Sequence, residues 1–166
     1  MQGNYVGNNF ALTSADVGEA LMRSASAFKS NGTEMSESIG LIVGAQETIQ
    51  DSSKVGNSFK TMVNRLNGVT YSMKEGDIIA NKTAQAFEKL AGIKIVDWDT
   101  NKVKDAYTIF SQLADKWDDM NDVQRNGIAD ALGGAHHLNT LQALMNNWDT
   151  VVQYQEIASS YVQKCA

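Results

Sequence analysis

No proline occurs among the 166 residues of this sequence, and cysteine occurs once. Without proline, every helix break must come from residues that tolerate the left-handed region or cap an end, here Gly, Asn and Ser. Cys165 alone cannot close an intrachain disulfide, so nothing marks an oxidising compartment. No apolar run approaches the roughly 20 residues that span a bilayer, and no membrane span is expected. There is no P-loop, no G-x-G-x-x-G, no G-x-S-x-G and no Cys/His constellation. Basic residues are not clustered: the net charge is −5 with both signs interspersed. The basic face that displaces counterions from nucleic acid is therefore missing, and no specific nucleic-acid site is expected. The opening "MQGNYVGNNFALT" is polar and uncharged, unlike a signal peptide, so the expected setting is a reducing cytoplasm or a particle assembled there.

What is present is helical periodicity. Hydrophobic residues make up 43% and charged residues 20%, the balance of a folded chain with a real core. Thr13 opens "TSAD", a start signal for a helix whose stripe is Val17, Leu21, Ala25 and Phe28 and whose stop is Asn31-Gly32. Thr33 or Ser36 then caps a second helix with Ile39, Ile42, Val43 and Ile49 on one face. After a break at Asp51, Ser52 and Ser53, a third helix carries Val55, Phe59, Met62, Val63 and Leu66 and stops at Asn67-Gly68.

Thr83 to Leu90 reads as a short helix ending at Gly92, and "IKIVDWDTNKV" alternates around a turn, the pattern of a small β-hairpin near residues 93–104. Val103, Tyr107, Phe110, Ala114 and Trp117 form a heptad-like seam. Asp122 begins a helix with Val123, Ile128, Ala131 and Leu132, broken by Gly133-Gly134. Two last stripes follow, Leu138, Leu141, Met145 and Trp148, then Val151, Tyr154, Ala158 and Tyr161, the final helix capped by Asn147 or Asp149. The expected class is all-α, a multi-helix bundle of short amphipathic helices. Its expected organisation is a leader at 1–12, a three-helix unit at 13–67, a linker at 68–80 and a helical unit at 81–166.

Four groupings invite a chemical reading. His136 and His137 are adjacent, but neighbouring helical residues point about 100° apart, and a helical zinc site wants its second ligand four residues on. Those positions are Thr140 and Leu141, so a helix start after a glycine break is favoured. Asp97, Asp99, Asn101 and Asp105 match calcium-loop positions, yet Lys102 stands where the loop needs Gly and Thr108 where it needs Glu. Asp115, Asp118, Asp119 and Asp122 read as a solvated helix end. Gly40-x-x-x-Gly44 reads as two small residues that let soluble helices approach. No cofactor and no metal are expected.

The ordered set of motifs resembles the core region of bacteriophage tail tape measure proteins. The resemblance runs from Leu12 to about Ser160. It rests on the helix with Val55, Gly56, Phe59, Lys60, Thr61, Arg65 and Leu66, and on the "GIKIVD" segment. It continues in the Leu113-Ala114/Trp117 helix, the helix with Gln124, Ile128 and Ala129, and "LQALMNNWD" with Leu144, Trp148 and Asp149. The histidines fall where the family commonly carries other polar residues.

The resemblance implies a non-enzymatic structural protein of a long-tailed phage or prophage. Such proteins occupy the lumen of the growing tail, set its length and leave during DNA ejection. Implied partners are copies of itself and other tail proteins: tail tube, tail chaperones and distal tail or baseplate. The implied location is the virion tail, assembled in the host bacterial cytoplasm. Family members are usually several times longer, so a fragment or truncated prophage gene is expected. The rival reading is a helical adaptor or effector domain with a catalytic or metal role for His136 and His137.

Overall fold

Seven consecutive residues from Gly40 to Gln46 are buried, which the one-sided stripe of a surface helix cannot produce. They belong to α2 (Met35–Gln46), a helix buried nearly all round, with its neighbours arranged about it. The computed structural model describes residues 14–165. The expected leader at 1–12 and the Thr13 cap lie outside the described residues.

Around α2 are α1 (Ser14–Asn31) and α3 (Ser52–Arg65), which lie along each other. Then come β1 (Val69–Ser72), β2 (Asp77–Ala80), α4 (Lys82–Ala91), β3 (Val96–Asp97) and β4 (Lys102–Val103). The chain continues through α5 (Ala106–Trp117), α6 (Asp122–Ala131), a 3-10 turn at Ala135–His137, α7 (Leu138–Asn146) and α8 (Trp148–Cys165), which packs along α2. Among the described residues, eight α-helices and two small antiparallel strand pairs make the fold mostly all-α.

The helix ends follow local chemistry. Asp51, Asn81, Asp105 and Asn121 each accept from a backbone N–H in the first turn of the helix that follows, satisfying one orphan donor apiece. Gly32, Gly68 and Gly92 sit at φ of 84°, 79° and 65°, as stops without proline require.

Several boundaries differ from the sequence reading. Glu34, not Thr33 or Ser36, caps α2, through a reciprocal box with Glu37. Thr33 Oγ1 instead donates to Asn31, and both side chains accept from the Ala106 N–H, tying the end of α1 to the start of α5. The buried face of α1 is Ala20, Ser24, Ala27 and Phe28, so the expected Val17–Leu21–Ala25 line sits at the edge of the core, half-buried. Val123 is 76% exposed, and Leu132 and Ile128 carry the core face of α6 without it. Asn147 does not cap α8 with its side chain: its amide donates to the Gly44 carbonyl at 2.9 Å and to Thr48 Oγ1 at 2.8 Å.

The hairpin expected near 93–104 is β3–β4, with Val96 opposite Val103 and Asp97 opposite Lys102. The expected linker at 68–80 is itself a hairpin, Val69 pairing with Ala80 and Ser72 with Asp77. One core joins the two expected units, since Phe28, Leu41 and Phe59 cluster with Phe87, Phe110, Ile128 and Leu144.

Candidate functional site

The signature helix α3 presents two faces to the rest of the molecule. On one, Gly56 meets α1: a β-carbon there would lie 2.8 Å from the Ala20 carbonyl oxygen and 2.9 Å from Arg23 Cβ. Beside this crossing, Glu19 of α1 accepts from Ser52 Oγ at 2.7 Å and Ser53 Oγ at 2.9 Å, and pairs with Arg23 at 3.2 Å. The two serine hydrogen bonds, and then Arg23, hold the Glu19 carboxyl below its ordinary range. Phe59 is fully buried, its ring centroid 5.6 Å from Phe28 and 6.2 Å from Phe110, so it joins α1, α3 and α5. Lys60 and Arg65 are exposed flanks of this face.

The second face of α3 meets the histidine corner. Gly133 and Gly134, at φ of 123° and 138°, turn the chain from α6 into the 3-10 turn. That turn buries His137, 4% exposed, while leaving His136 exposed, with the two rings 4.0 Å apart. His137 Nδ1 lies 3.3 Å from Ser58 Oγ, and Thr140 Oγ1 donates to the same oxygen at 3.3 Å. A β-carbon at Gly133 would press on Thr61 Cγ2 at 2.7 Å, which is where signature residue Thr61 sits. Burial first, then His136 and Arg65, push the His137 imidazole below its usual range.

A serine beside a histidine is the beginning of a nucleophile–base pair. Here Ser58 is 5% exposed and sits beneath the turn, with its hydroxyl shared between His137 and Thr140. The calcium-like stretch is likewise consumed by its own turn: Asp97 Oδ1 accepts from the N–H groups of Asp99 and Thr100, Asn101 takes φ 55°, and Asp105 caps α5. Asp115, Asp118, Asp119 and Asp122 are all exposed. No group of three or more His, Cys, Asp or Glu among the described residues is placed to hold a metal ion.

Most of the remaining signature residues are buried between helices or hold helix ends. The Trp117 carbonyl accepts from Arg125 Nε at 3.1 Å and Nη2 at 2.6 Å, and the Arg125 guanidinium lies 4.9 Å from the indole centroid. Gln124 closes a reciprocal cap with Asn121 at 2.9 Å each way. Ile128, Ala129 and Leu144 are fully buried. Trp148 lies against Tyr107 with ring centroids 5.6 Å apart and planes tilted by 40°, and Asp149 is exposed in the first turn of α8, where the helix dipole favours an acid. Sequence reasoning passed over Ser58 and Arg125. Ser58 was legible only as a small polar residue one step from Phe59, and Arg125 had no spacing rule across the break at Asn121.

Gly56, Phe59, Thr61, Trp117, Ile128, Ala129, Leu144 and Trp148 thus serve packing between elements, Gln124 caps its helix, and Lys60, Arg65 and Asp149 are exposed. No helix among the described residues is long and apolar enough to cross a membrane. No solved structure matches the chain. A family model described as phage-related minor tail protein matches residues 2–134. That stretch takes in α1 to α6 with the whole signature helix, and the chain belongs to the phage-related minor tail protein family, a component of the phage tail.

Proposed function

We propose that this chain is part of a tape measure protein, a structural element that governs tail length during assembly and does no chemistry. The observation that carries the reading is that the family match extends through α1 to α6 while the motifs Leu141–Asp149 continue the tape-measure resemblance beyond it. The signature residues support a scaffold role, since Gly56, Phe59, Ile128 and Leu144 are spent on helix contacts.

An extended helix advances about 1.5 Å per residue, whereas this chain reverses at every short turn. The segment is thus a folded module beside a ruler, acting through contacts with copies of itself and with tail-tube, chaperone or distal tail proteins in the host cytoplasm. Electron microscopy of particles from a phage carrying an in-frame deletion of residues 14–165 tests this. Missing tails or tails of altered length are expected. Tails of normal length and number would overturn the reading. Zinc calorimetry on the isolated chain tests the absence of a metal role, and a stoichiometric isotherm lost on His136→Ala would restore one.

A further inference from the structure

The part of the molecule that the scaffold reading leaves unused is the buried imidazole at the α6–α7 corner. His137 lies 3.3 Å from Ser58 of α3, beside Gly133 just past α6, and shares Ser58 with Thr140 in the first turn of α7. Thr140 donates to Ser58 Oγ, and the same hydroxyl lies 3.3 Å from His137 Nδ1, donating to it or accepting from it according to the tautomer. Either neutral tautomer makes this one bond and leaves Nε2 uncharged. Nε2 has no hydrogen-bond partner among the described residues and is buried. A second proton makes both ring nitrogens donors: Ser58 Oγ can accept from Nδ1, but the buried Nε2 would then be a donor on a charged ring with no partner among the described residues.

The charges around the ring give an added proton no compensation. Arg65 from α3 and His136 from the same turn both act against it. The first turn of α7, Leu138 to Leu141, carries no charge, and Asp130 on α6 and Lys60 on α3 are exposed. On the N-terminal side of the ring are two consecutive glycines at positive φ, a joint able to swing.

We propose that His137 is the pin of an acid-released latch: neutral, it holds the Gly133–Leu138 corner against α3, and protonated, it frees that corner while the α1–α3 and α2–α8 pairs stay closed. The sign follows from linkage. A histidine held below its unfolded value stabilises the closed corner above that value, and the stabilisation is lost as pH falls toward the folded one.

The test is carried out on the whole chain by NMR. The C2-proton titrations of the two histidines are recorded together with amide exchange, corrected for intrinsic rate, between pH 7.5 and 5. His137 should titrate below the ordinary histidine range. Exchange at residues 133–141 should quicken by about tenfold for each pH unit by which His137 is displaced, with α1 amides unchanged. His137→Asn should abolish the acid response. If that variant fails to fold, the wild-type titration alone decides. A His137 titrating at or above the ordinary histidine range, exchange that rises equally in α1, or an acid response that persists in His137→Asn would overturn the latch.

Discussion

A β-carbon placed on Gly56 would stand 2.8 Å from the carbonyl oxygen of Ala20, closer than real β-carbons approach backbone. The α1–α3 crossing is therefore set by the missing side chain at Gly56. Gly18, elsewhere on α1, has open space around the same position. Gly56→Ala should destabilise the chain by about 1–3 kcal/mol through overpacking. Gly18→Ala should stabilise it by about 0.5–1 kcal/mol through helix propensity. Urea denaturation of both variants checks the opposite signs, and a stabilising Gly56→Ala would mean that α1 can shift off α3 at no cost.

Phe59 and Lys60 are adjacent, but one is fully buried against Phe28 and Phe110 and the other faces solvent. Phe59→Ala should cost about 3–5 kcal/mol, as for other buried aromatics. Lys60→Ala should cost under about 1 kcal/mol, as for an exposed cation. Equal midpoints in chemical denaturation would contradict this assignment of faces.

The helices were legible because a 3.6-residue apolar period and capping residues are local signals. The stops at Gly32, Gly68 and Gly92 could be read because a glycine at positive φ needs no tertiary context. The first hairpin was not read. "VTYS" and "DIIA" are two β-prone runs separated by four residues ending in Gly76, yet both are exposed or half-buried and so lack a clean two-residue alternation. The offset on α1 has a different cause. Ala20, Ser24 and Ala27 outrank Val17 and Leu21 as core because α3 approaches at Gly56, and close approach selects small residues. At the histidine corner, sequence spacing disfavoured a metal reading, but pairing Ser58 with His137 joins residues 79 apart. No local rule could give that contact.

Glu37 provides a pH test. Burial raises its carboxyl above the ordinary range, with Asp105 and Glu34 adding repulsion against the hydrogen bond from the Glu34 N–H. A carboxyl raised on folding favours the native state below its unfolded value, and this contribution is lost as pH rises through the folded value. Glu37→Gln keeps the bond to the cap, because an amide oxygen also accepts from the Glu34 N–H, and removes the half-buried charge. The variant should therefore be as stable as the wild type or more stable at pH 7, and lose that advantage near pH 4. Denaturation curves at the two pH values decide it. A variant less stable at pH 7 by as much as a lost cap would show that the ionised carboxylate is needed.

The α2–α8 contact yields the last prediction. A β-carbon on Gly40 would lie 2.6 Å from the Val151 carbonyl oxygen, and one on Gly44 would lie 2.2 Å from Val151 Cγ2. The first clash is with backbone, which moves only if the helix moves, whereas the second is with a single methyl. Both Gly40→Ala and Gly44→Ala should destabilise, by about 1–3 kcal/mol each. Val151→Ala removes the methyl, so it should relieve Gly44→Ala in a double-mutant cycle and leave Gly40→Ala unrelieved. A coupling energy near zero for the Gly44–Val151 pair would mean that α8 relaxes as a rigid body, and the two glycines would then be equivalent spacers. Unequal coupling would locate the contact at the level of single atoms, with the backbone of Val151 setting how closely α8 can approach α2.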